Sequence, residues 1–78
     1  MTIEQVRRMY QARPFQPFVV HLADGKEIPV ISPEFMSFSP SGRTVIINHG
    51  KDAFDIVDLL LVTRLEIQDR EPSRRRRN

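Results

Sequence analysis

Seventy-eight residues leave room for one small hydrophobic core and exclude a multidomain enzyme. A composition of 40% hydrophobic and 28% charged residues is that of a folded soluble domain, and the absence of cysteine excludes disulfides and thiolate metal sites. The net charge of +2 divides unevenly, with seven Lys or Arg against nine Asp or Glu in residues 1–69 and five Arg against one Glu in residues 70–78, so a fold built around a basic nucleic-acid face is disfavoured.

The N-terminus reads as a helix over about residues 2–13. Thr2 and Gln5 stand in the capping-box relation, and Ile3, Val6, Met9 and Tyr10 recur at spacings of three and four on one face. Pro14 sets its limit, because proline disfavours helical geometry in the residue before it. From Phe15 the period changes. Strands are expected at about 17–23 and 26–31, joined at Asp24-Gly25, a pair that tolerates positive φ. Pro17 and Pro29 cannot donate ladder hydrogen bonds and must sit at a strand start, at an edge or with the nitrogen facing away from a partner.

Ser32-Pro33-Glu34 supplies a cap residue and a proline at the first helical position, which predicts a single turn through Phe35 and Met36. Ser39-Pro40-Ser41-Gly42 reverses the chain. Strands at about 44–48 and 53–57 form a second hairpin around His49-Gly50-Lys51-Asp52. Asp58 to Ile67 fits a helix or a strand, and we read it as a tight turn at Asp58–Leu60 followed by a last strand at about 61–67. Residues 70–78 are expected to be disordered.

The expected fold is mainly β: a single domain over residues 1–69, built as a small five-stranded barrel or strongly curled antiparallel sheet with one N-terminal helix. No apolar run approaches the roughly 18 residues of a membrane span. Glu4, Arg7 and Arg8 stand where a signal peptide would be apolar, so a cytoplasmic protein without membrane association is expected.

The segments Pro14-Phe15-Gln16-Pro17-Phe18, His21-Leu22-Ala23-Asp24-Gly25, Ser32-Pro33-Glu34-Phe35, Ser39-Pro40-Ser41-Gly42-Arg43 and Ile56-Val57-Asp58-Leu59-Leu60-Leu61-Val62 resemble a family of short bacterial proteins without an established activity. That resemblance spans residues 1–67 and implies a stand-alone domain. At the level of fold, the order of elements is similar to Sm-like and SH3-like small barrels. Sm proteins line their RNA site with an Asp and an Asn after the second strand and a basic-glycine motif before the last. Ser32-Pro33-Glu34-Phe35-Met36 and Val62-Thr63-Arg64-Leu65 occupy those regions here, so the likeness carries over no RNA-binding residue.

Chemical motifs are sparse. His21 and His49 have no neighbour in sequence of a type that would make a catalytic pair or metal site, and Asp52, Asp55 and Asp58 at intervals of three alternate faces in a strand. No phosphate loop or nucleophile elbow occurs. No catalytic residue, metal or cofactor is therefore expected, and the protein reads as non-enzymatic. Phe15, Phe18, Phe35, Phe38 and Phe54 are read mostly as core, with Phe15 partly exposed.

Two functions follow. The first is a protein-binding or adaptor module that self-associates and engages a protein partner through a strand edge or a barrel rim bearing Phe15, His21 and Phe35. The second is a nucleic-acid-associated protein whose Arg70, Arg74, Arg75, Arg76 and Arg77 contact phosphates without reading sequence.

Overall fold

In the computed structural model, which describes residues 1–68, helix α1 (Ile3–Tyr10) precedes six strands. These are β1 (Phe18–Leu22), β2 (Glu27–Val30), β3 (Met36–Phe38), β4 (Thr44–His49), β5 (Ala53–Asp58) and β6 (Val62–Ile67). The helix starts where the capping box places it. Gln5 N–H donates to Thr2 Oγ1 at 3.3 Å, and Thr2 N–H donates to Gln5 Oε1 at 2.9 Å. Thr2→Ala removes the hydroxyl acceptor and is expected to cost about 1 kcal/mol in a denaturant titration.

The helix ends earlier than residue 13. Gln11 takes φ −94° and ψ 1°, and Ala12 N–H closes back on the Met9 carbonyl at 3.4 Å. Gln11, Ala12 and Arg13 are all exposed, so a further turn would bury nothing, and a helix this short depends on docking.

The strands form two three-stranded antiparallel sheets, ordered β2-β1-β6 and β3-β4-β5. In the first, Phe18 lies between Val30 and Ile67, and Val20 between Ile28 and Leu65. In the second, Val45 lies between Phe38 and Val57, and Ile47 between Met36 and Asp55. The two inward faces meet in one core, closed on a third side by Val6 of α1. Six strands, one more than expected, divide between these two sheets, and no strand pairing among the described residues links them into a ring. The additional strand, Met36-Ser37-Phe38, is too short to show a period, and becomes a strand only because Ser37 sits opposite Ile46 of β4.

The turns follow local chemistry. Gly25 adopts φ 94°, and Asp24 Oδ1 accepts the Lys26 N–H at 2.9 Å. Pro33–Phe35 forms one 3₁₀ turn, and Leu59–Leu61 another, the latter begun by Asp58, whose Oδ1 accepts the Leu60 N–H at 2.9 Å. Leu59 is buried, whereas Leu60 and Leu61 are exposed, so only one side of that turn touches the core and the chain passes directly into β6.

Hydrogen-bond parity shows which backbone groups each edge leaves open. Leu22 N–H donates to the Lys26 carbonyl, and the β1–β2 register then turns the Pro29 nitrogen away from β1, as its missing hydrogen requires. By the same rule, Leu59 N–H donating to the Arg43 carbonyl at 2.9 Å makes Val57, Asp55 and Ala53 the β5 residues bonded to β4. The backbone N–H and C=O groups of Phe54, Ile56 and Asp58 therefore face outward.

Candidate functional site

Four sheet edges flank the core, and three are poor templates for a further strand. β2 carries Pro29 on its open side, β3 has three residues, and β6 places the charged Arg64 and Glu66 on its solvent face. Proline, brevity and charge are the devices by which proteins protect sheet edges. β5 has none of these on its solvent face over Phe54 and Ile56. It runs for six residues, and these two side chains are 58% and 68% exposed. Ile46 of β4 lies opposite Ile56 on the same face, so an apolar stripe borders an open backbone edge.

A second surface lies at the end of α1. A groove of about 720 Å³ is lined by Tyr10, Gln11, Arg13, Pro14, Phe15 and Pro33, among others. Phe15 is half-buried there, with its ring 5.9 Å from that of Phe18 and inclined at 53°. Phe35 follows Pro33 in the adjoining 3₁₀ turn and is also half-buried.

His21 is placed elsewhere, at the opposite end of β1 from Phe15 and on the outer face of the first sheet. Its Nε2 is 2.8 Å from Glu66 Oε1, its Nδ1 is 3.8 Å from Glu27 Oε2, and Arg64 Nη2 donates to the same Glu66 oxygen at 3.1 Å. The structure thus sets Phe15 in the groove, Phe35 in the 3₁₀ turn whose Pro33 lines it, and His21 in an ion-pair cluster. Arg70, Arg74, Arg75, Arg76 and Arg77 lie outside the described residues.

The sequence offers His49 no partner of catalytic or metal-binding type among its neighbours, and the sheet supplies a hydrogen-bonding one. His49 Nε2 donates to Asp55 Oδ2 at 2.8 Å, and Lys26 Nζ, from the turn of the first sheet, reaches Asp55 Oδ1 at 3.3 Å. The β4–β5 register contains the signal, because His49 opposite Ala53 and Ile47 opposite Asp55 put His49 and Asp55 on one face as diagonal neighbours. Burial acts to raise the Asp55 pKa, but hydrogen bonds from Lys26 and His49 and their charges outweigh it, so the carboxyl lies below its ordinary range.

A depressed carboxyl stabilises the fold above the unfolded pKa of about 3.9 and loses that contribution as pH falls through the lower folded value. Asp55→Asn is therefore expected to lower the thermal midpoint at neutral pH, with the gap to wild type closing below about pH 4. A constant gap across an acid series of melting curves would refute the assignment.

Phe54 was read with the core aromatics, and it is exposed. No protein-family model, curated protein or solved structure matches the chain. Neither His-carboxylate pair has a Ser, Thr or Cys hydroxyl or thiol bonded to its imidazole, and no three His, Cys, Asp or Glu side chains gather into a metal-holding group among the described residues. The described residues present an open strand edge beside exposed Phe54 and Ile56 and a groove at the end of α1.

Proposed function

We propose that this protein is a non-enzymatic binding module, its two sheets acting as the halves of a small SH3-like barrel, which engages protein partners by adding an extended segment to a sheet edge and also self-associates. The observation that carries this reading is β5, six residues long and flanked by exposed Phe54 and Ile56. Strand addition derives affinity from backbone hydrogen bonds, while side chains beside the edge select the sequence. The groove at Phe15, with Phe35 adjoining, offers a second contact for a bound chain.

A nucleic-acid reading draws on sequence alone, from four adjacent arginines, Arg74–Arg77, with Arg70 nearby. Five phosphate contacts would give a log-log salt slope of about −4.5 on DNA. The two readings separate in affinity capture from native lysate with full-length chain and with residues 1–69, with and without nuclease. Partners that survive nuclease, salt and truncation support the binding module. Partners lost under all three support nucleic-acid association and sink the first reading.

A further inference from the structure

We infer that the open edge of β5 pairs antiparallel with β5 of a second copy of this chain, with Ile56 opposite Ile56 on the twofold axis. This rests on the strand-addition reading above and names its occupant.

Parity restricts the registers. Only those that set Phe54, Ile56 and Asp58 against one another join open backbone groups to open backbone groups, since Ala53, Asp55 and Val57 are already bonded to β4. Centring on Ile56 engages all three: Ile56 meets Ile56, and Phe54 meets Asp58 of the second copy. Asp55 then faces Val57. Shifting the centre to Asp55 keeps the parity but sets two carboxylates directly across the axis, which is repulsive.

Charge also separates these two registers for a like copy. The Asp55 carboxylate is held by Lys26 at 3.3 Å and His49 at 2.8 Å on the inner side, and Asp58 is turned to the Leu60 amide at 2.9 Å. Neither acid directly faces a like charge across the axis, and the two Asp55 carboxylates, diagonal neighbours on the inner face, are each already paired with Lys26 and His49. The product is a closed twofold dimer with a six-stranded sheet, in which the stripe of Ile46, Phe54 and Ile56 from each copy becomes continuous. The open edge is covered in both copies at once.

The test uses sedimentation equilibrium of the full chain from low to high micromolar concentration. Wild type is expected to dimerise, and Ile56→Lys, which sets two ammonium groups across the axis, to weaken the dimer about 100-fold or more. Ile31→Lys, at a side chain 59% exposed just past β2 of the other sheet, is expected to leave it unchanged.

Because the chain has no cysteine, single-cysteine variants report the register directly. A hydrogen-bonded antiparallel pair has Cα atoms about 5.5 Å apart, within disulfide reach, so oxidised Ile56→Cys should form a covalent dimer. Phe54→Cys should not, because the two copies of residue 54 are offset by four residues, roughly 14 Å.

A wild type that stays monomeric, an Ile56→Lys variant that dimerises as tightly, or equal cross-linking at position 54 would each overturn the inference. A monomer whose β5 amides shift on adding an extended peptide would overturn the second copy as occupant while leaving the strand-addition reading standing. A dimer cross-linked at position 56 whose captured partners are lost to nuclease, salt and truncation alike would leave the second copy standing and overturn the reading of protein partners. Should Ile56→Lys misfold by circular dichroism, the cysteine pair still decides.

Discussion

Phe18→Ala is expected to leave the chain largely unfolded at room temperature. Phe18 is fully buried, stands in the central strand of the first sheet between Val30 and Ile67, and supports the Phe15 ring at 5.9 Å. Truncating a buried phenylalanine costs about 3–5 kcal/mol, the lost transfer free energy plus the cavity left behind. A core of this size supplies only about 3–5 kcal/mol in total, so loss and reserve are of the same order.

The site cannot collapse easily, because hydrogen bonds hold β1 to a strand on each side and keep the walls of the cavity apart. Urea titration followed by far-UV circular dichroism should show no native baseline for Phe18→Ala. Phe54→Ala, which removes the same ring from a side chain 58% exposed, should shift stability by no more than about 0.5 kcal/mol. A cooperative transition for Phe18→Ala with a midpoint near wild type would mean that the first sheet is not centred on this residue.

The contrast between these two phenylalanines also marks how far the sequence could be read. Elements fixed by local chemistry were legible: the Thr2–Gln5 box, the Asp24-Gly25 hairpin, the Pro33 turn and the turn before the last strand. Strand orientation was not. In Ala53-Phe54-Asp55-Ile56-Val57-Asp58, alternation alone would put the larger apolar pair, Phe54 and Ile56, inside. The structure buries Val57 and points the pair outward, because Val45 and Ile47 of β4 fix the inner face and β5 must follow its register.

The two ionic clusters were hidden for the same reason. Asp55 meets Lys26 across 29 residues and His21 meets Glu66 across 45, separations that only the sheet topology closes. The open edge of β5 was legible only as a general hazard of a small β domain. Its assignment to this strand needed the hydrogen-bond parity set by Leu59 and Arg43.

Val6→Asp is expected to detach the helix. Val6 is the one fully buried residue of α1 and is 1% exposed within the shared core. A carboxylate placed there would lose its hydration without a partner, a cost of several kcal/mol that the chain can avoid by releasing the helix. Eight residues do not hold a helix in water, so release is also melting, and the capping box at Thr2 and Gln5 is lost with it.

The cost is capped at the free energy of docking, which we place at about 3 kcal/mol, within the range of severe core substitutions. Tyr10 supplies a direct readout. It is the only tyrosine in a chain without tryptophan, and its ring stands edge-on to Phe38 with centroids 5.0 Å apart, while the Arg7 guanidinium lies over the Phe38 ring, 5.0 Å from its centroid. Near-UV circular dichroism from Tyr10 should vanish in Val6→Asp together with the helical far-UV signal, while Arg8→Asp, on the exposed face, should keep both. A Val6→Asp protein that retains the Tyr10 signal would show that α1 is held by contacts other than its apolar face.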